Sequence, residues 1–211
     1  MYKTLFNMEM AMTKSDAVKE RIIESAISLI NEGKGDMAGV STRAIAERAN
    51  TGPALINYHF QTKERLIEIC VERIIGDVIF SFSPELPKTA QTPVERLKYK
   101  AKMVMDFLIK NPAVSRLSML GDFNNPKKTD NTMKSSLDCS KTLDGLAAPE
   151  KERLVLSFAL TSVMQTLFLR KDLGKELFGY DIHIKKQRDE LIDLLVGNLF
   201  GTYKSGKENK Q

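Results

Sequence analysis

The chain is poor in the residues that build catalytic and metal centres. Its 211 residues include two cysteines and two histidines: Cys70 and Cys139, His59 and His183. They form no CxxC pair and no cluster at metal-ligand spacing, so a zinc site is not expected. The cysteines lie far apart, each in an apolar helical context, and read as small buried hydrophobes with no disulfide between them. No glycine-rich loop cradles a phosphate, and no nucleophile, base and orienter recur at usable spacing. The expectation is a non-enzyme with no catalytic residue, cofactor or metal. There is no signal-peptide pattern and no uncharged apolar run of about 18 residues, which points to the cytoplasm and away from a membrane partner. Low-complexity tracts are also missing.

What is present is a composition of 42% hydrophobic and 28% charged residues, that of a folded globular protein with one or two domains. The formal charge of +5 permits a polyanionic partner without demonstrating one. Residues 1–65 hold nine Lys/Arg against eight Asp/Glu. A basic face there requires geometry, with acids such as Glu20, Glu24 and Glu47 turned away.

Hydrophobic periodicity divides the chain into helices. Residues 1–14 lack a period and read as a flexible arm. From 15 to 32, Val18, Ile22, Ala26, Ile27, Leu29 and Ile30 fall at three and four spacing, with Ser15 or Asp16 as cap and Gly33 with Gly35 as stop. Ser41 precedes a short helix over 42–49 with a narrow stripe of Ile45, Ala46 and Ala49. Asn50, Thr51 and Gly52 make a turn, where Asn and Gly tolerate a sharp reversal. Pro53 opens a helix over 53–59, too short to be stable alone and docked by Ile56 and Phe60. Thr62 caps a long helix over 63–80 that joins this region to the rest. Short helix, tight turn, short helix is a way of presenting one helix to a groove in DNA.

Beyond a Pro- and Thr-rich loop over 81–92, Thr92 and Glu95 form a capping box for a helix over 93–110, which Asn111-Pro112 ends. Helices over 112–120 and 131–143 follow. The helix over 149–170 is apolar nearly all round, and one over 182–203 carries a wide apolar stripe. Together they present more apolar surface than one small body can cover, which suggests a second copy. Residues 204–211 read as a solvated tail.

The run STRAIAERA, the turn, and ALINYHFQTK resemble the N-terminal domain of the TetR/AcrR family of bacterial transcriptional regulators, in register over 15–66. The resemblance implies an all-α chain: a helix-turn-helix DNA-binding domain over 15–64 and a helical ligand-binding and dimerisation domain over 65–203. It implies DNA contacts by Thr42 (phosphate), Arg43 (guanine or phosphate), Gly52, Pro53, Ala54 and Leu55 (groove), Tyr58 and His59 (backbone), and Lys63 (phosphate). Asn57 stands where the family commonly has a phosphate-bound tyrosine, which removes that contact and opens a contact to adenine. The resemblance further implies a homodimer through 149–170 and 182–203. It also implies an apolar small-molecule pocket drawn from Met103, Phe107, Met119, Phe123, Met133, Phe158, Met164 and Phe168, with Gln165 or Asp122 as polar contact. The expected function is a repressor released from a palindromic DNA operator by a hydrophobic ligand. The alternative is a small-molecule-binding or interaction protein with a degenerate reader.

Overall fold

The periodic segments become helices, and tertiary contacts adjust their ends. The computed structural model describes residues 13–33, 37, 39–81, 87 and 90–203. Within them the chain is α-helical, with one short 3-10 turn and no β-strand. The helices are α1 (Lys14–Glu32), α2 (Thr42–Arg48), α3 (Pro53–Phe60), α4 (Lys63–Ser81), α5 (Pro93–Lys110), α6 (Pro112–Asn124), α7 (Asn131–Thr142), α8 (Glu150–Leu169), α9 (Gly174–Phe178) and α10 (Lys185–Phe200). The expected arm up to residue 12, the tail over 204–211 and most of the 81–92 loop lie outside the described residues. The chain forms two compact units, Met1–Val78 and Ile79–Gln211.

In the first unit Ile22, Ile23, Ala26 and Ile30 of α1 meet Ile45 and Ala46 of α2, Ile56 and Phe60 of α3, and Leu66, Cys70 and Val71 of α4, all buried. The unit runs to Val78, past the boundary expected at 64, because α4 is fastened to α1. Cys70 Sγ lies 3.7 Å from Ile23 O, and Arg73 makes a two-pronged ion pair with Glu20. The first cap differs from expectation. Thr13, not Ser15 or Asp16, caps α1, in a reciprocal box where Asp16 N donates to Thr13 Oγ1 at 3.1 Å and Thr13 N to Asp16 Oδ2 at 3.3 Å.

The second unit packs α5, α7, α8 and α10 around Leu97, Met105, Leu160, Met164, Phe168, Ile192, Val196 and Phe200. The expected Thr92/Glu95 capping box is present, with Thr92 N donating to Glu95 Oε2 at 2.8 Å. Ser136 and Ser140 on α7 and Ser157 and Thr161 on α8 are buried at four-residue spacing, small side chains that let two helices approach closely. Arg188 of α10 is 5% exposed and binds Asp106 of α5 and the carbonyl of Ile182. The buried guanidinium is both paired and hydrogen-bonded, the condition under which a charge tolerates an apolar interior.

Three departures have local causes. Helix α6 runs on to Asn124 instead of stopping at 120, since Gly121 meets open space and the break comes at Asn125, just before Pro126. Helix α10 begins at Lys185 instead of 182, because Asp181 Oδ1 accepts from His183 N at 3.0 Å and holds a turn. Between the two expected helices, the 171–184 connection contains a 3-10 turn and α9, closed by Gly179 at φ +74°.

Leu160→Ala should lower unfolding free energy by about 2–5 kcal/mol, seen as an earlier urea midpoint at constant slope. Burial pushes the Cys70 thiol up to about 12 and the Cys139 thiol up to about 11. A thiolate-specific reagent at pH 8 should therefore label the native chain slowly and both cysteines rapidly once urea unfolds it.

Candidate nucleic-acid interface

The segment 41–63 is built to expose one end of α3. Ser41 Oγ accepts from Ala44 N at 3.1 Å and starts α2. Thr42 follows as the first helical residue, half-buried, and Arg43 is exposed. The turn is made by Asn50, whose φ of +48° is left-handed, and is closed by Thr51 N donating to Ala46 O at 2.9 Å. Gly52 has an ordinary φ of −87°. The backbone reversal therefore rests on Asn50 and not on Gly52, where an added Cβ would meet nothing within 4 Å.

Pro53 then opens α3 where its missing N–H costs nothing. Gly52, Pro53, Ala54, Leu55 and Asn57 are exposed, and Tyr58 is 78% exposed. Ile56 and Phe60 alone hold the helix to the unit from inside. The rings of Tyr58 and His59 meet edge-on at 5.1 Å, with His59 half-buried. Gln61 ends α3 at φ +66°, an unexpected left-handed residue, and Thr62 N reaches Phe60 O at 2.8 Å. Thr62 Oγ1 accepts from Arg65 N at 3.1 Å, so Lys63 stands in the first turn of α4 three residues beyond the end of α3.

Among the described residues, Arg43 and Lys63 make no ion pair within the chain, so both charges are available to an external anion. The acids sort unevenly. Glu20 is engaged by Arg73 and Glu32 by Arg48, and Glu24 lines a groove on α1 with Ile27, Ser28, Asn31, Glu32 and Arg73. Glu47 does not fit the expectation that it turns away. It is exposed one helical turn from Arg43, hence on nearly the same side of α2.

The residues expected to line a ligand pocket differ in exposure. Met119, Met164, Gln165 and Phe168 are buried, and Met103, Phe107 and Met133 are half-buried, whereas Phe123 is 66% exposed and Phe158 46% exposed. The α1 groove and a second cleft at Gly179, Tyr180, Ile184 and Gln187 contain none of them. Met119, Met164 and Phe168 share one apolar core, against which Phe107 packs, and Gln165 joins a polar chain. Gln165 Nε2 donates to Thr132 Oγ1 at 2.9 Å, and Thr132 Oγ1 donates to Asp122 Oδ2 at 2.8 Å. Burial pushes the Asp122 carboxyl above the usual carboxylate range, against the lowering effect of Thr132.

Residues 22–70 match the family model described as bacterial regulatory proteins, tetR family. No curated protein matches the chain. Among solved structures, the transcriptional regulator SCO7222, a TetR from Streptomyces coelicolor, is 16% identical with a TM-score of 0.65, covering 88% of this chain and 99% of that one. A TetR transcriptional regulator from Rhodococcus sp. RHA1 is 15% identical with a TM-score of 0.53, covering 88% of this chain and 96% of its own. At such identity the likeness concerns the fold. The family model thus falls on the helices that present α3, and the likeness of fold to solved TetR regulators extends over 88% of the chain.

Proposed function

We propose that the chain is a cytoplasmic, dimeric repressor that binds a palindromic operator and is released by a small hydrophobic ligand. The observation that carries the DNA half is the exposure of Gly52, Pro53, Ala54, Leu55, Asn57 and Tyr58, flanked by Arg43 and Lys63, neither of which makes an ion pair among the described residues. In this reading Thr42, Tyr58, His59 and Lys63 bind phosphates and fix register. Arg43 bonds a guanine edge through its two-pronged guanidinium. Pro53, Ala54 and Leu55 touch thymine methyls, and Asn57 pairs with adenine. So few hydrogen-bonding groups on α3 leave part of the specificity to DNA shape.

Dimerisation is supported by α8. It is long and apolar enough to cross a membrane, yet only 33% of its apolar window is buried in this chain. Val155, Phe158 and Val163 of α8 and Leu194 of α10 are exposed. A second copy docked through 149–170 and 182–203 covers them and sets two reading helices about 34 Å apart on one face of the duplex. The ligand enters the interior of the second unit beside Met119, Met164 and Phe168, flanked by Met103, Phe107 and Met133, with Gln165 as its polar contact. It binds the body state that spaces the readers wrongly more tightly than the DNA-competent one, and α4, which runs across the boundary at Val78, carries the difference.

Gel shift against the DNA upstream of its own gene, with salt varied, tests the reading. Specific binding that weakens steeply with salt is expected. No sequence preference there or in a random-site selection would favour an interaction protein with a degenerate reader. Lys63→Ala should weaken binding to all sequences alike and lower the salt slope by about one. Arg43→Ala should relax choice at one base pair, costing about 1–3 kcal/mol there; equal weakening everywhere would assign it to phosphate. Phe158→Glu should turn the dimer into a monomer in analytical ultracentrifugation. A dimer that persists removes that face of α8 from the interface.

A further inference from the structure

Arg48 belongs to the motif 41–63, yet nothing in the DNA-binding reading uses it. It is the last residue of α2, and its side chain, 37% exposed, turns back onto α1. Nη1 donates to Ser28 Oγ at 2.9 Å and forms an ion pair with Glu32. Ser28 Oγ donates in turn to Glu32 Oε1 at 3.0 Å, so one carboxylate gathers both groups. Hydrogen bonds from Arg48 and then Ser28 hold the Glu32 carboxyl below the usual carboxylate range. Among the described residues this is the only side-chain hydrogen bond or ion pair from the α2–α3 pair to α1 or α4.

The contact beneath the clamp is narrow. Helix α2 has seven residues and rests on Ile45, Ala46 and Ala49. Two of these are alanines, which set the distance of approach but offer little resistance to rotation about the helix axis. Any such rotation is passed to α3, because Asn50 N bonds Glu47 O at 3.1 Å and Thr51 N bonds Ala46 O at 2.9 Å. A guanidinium fixed at the C-terminal end of α2 supplies the missing resistance. Its charge is already engaged by a carboxylate, which makes it a poor partner for phosphate.

We propose that Arg48 is a positioning residue for DNA binding: clamped to Glu32 and Ser28 of α1, it sets the angle at which α3 is presented and does not touch DNA. The inference rests on the DNA-binding reading above. Its scale is that of an exposed ion pair, about threefold in affinity per reader and so about tenfold for an operator held by two.

The test uses the full chain, unsubstituted and as the single variants Arg48→Met, Glu32→Gln and Lys63→Ala. Each is titrated by fluorescence anisotropy onto an operator duplex from random-site selection, over a range of salt and well below its Tm. Arg48→Met and Glu32→Gln should each weaken binding about tenfold with the unsubstituted slope of log K against log salt, since no phosphate contact is lost. Lys63→Ala should lower that slope. Glu32→Gln is decisive, because a carboxylate cannot be a phosphate contact. Unsubstituted affinity in Glu32→Gln overturns the proposal, whether Arg48→Met lowers the salt slope, as a phosphate contact would, or changes only Tm, as a purely structural clamp would. If the unsubstituted protein selects no site, the DNA-binding reading itself fails, and this inference with it.

Discussion

Everything the reader does depends on how two helices of seven and eight residues are held against α1. Helices of that length do not persist alone in water, because nucleation is costly and few hydrogen bonds follow it. Their order is borrowed from burial: Ile45, Ala46 and Ala49 on one, Ile56 and Phe60 on the other, set on Ile22, Ile23, Ala26 and Ile30. With the inward side so committed, the outward side is free for exposed groups. The same constraint explains why α1 is the longest helix before α4 and why polar ties converge on it, from Arg48 at its C-terminal end and from Arg73 nearer its start.

The body solves a different problem. Helix α8 carries apolar residues on nearly every side, and one layer of neighbours covers only part of them. Where it meets α7, small side chains at four-residue spacing let the helices approach closely, and hydrogen bonds run from Gln165 through Thr132 to Asp122, while Ser157 Oγ is buried without a hydrogen-bond partner among the described residues. On its other side, Val155 and Phe158 stay in solvent. Dense polar packing on one face and uncovered apolar surface on the other is the pattern expected of a helix shared between a unit's own core and an external partner.

Much of this was legible in the residues. Helix existence followed from three and four spacing of apolar positions, and α5 fell on its expected bounds because Thr92-Pro93 and Asn111-Pro112 punctuate both ends. The exposed run on α3 was legible for the same reason, since Ile56 and Phe60 fix which side is inward. Elsewhere local signals misled. Helix α6 ran past its expected end at 120 to Asn124, and Thr13 took the cap expected of Ser15 or Asp16 by pairing reciprocally with Asp16. The short α9 escaped notice because five residues carry too little period to stand out.

The sequence by itself determined the helical class and the likeness of residues 22–70 to the tetR regulatory proteins, because both are carried by local spacing along the chain. Only the tertiary structure decided that Asn50 and not Gly52 makes the left-handed turn, that Phe123 and Phe158 face outward, and that Arg48 is spent on Glu32 while Arg43 is not. Each of these depends on which neighbour from a distant part of the chain reaches a side chain first. Period and composition carry no record of that, since an exposed arginine and a clamped one look the same until the helices are packed.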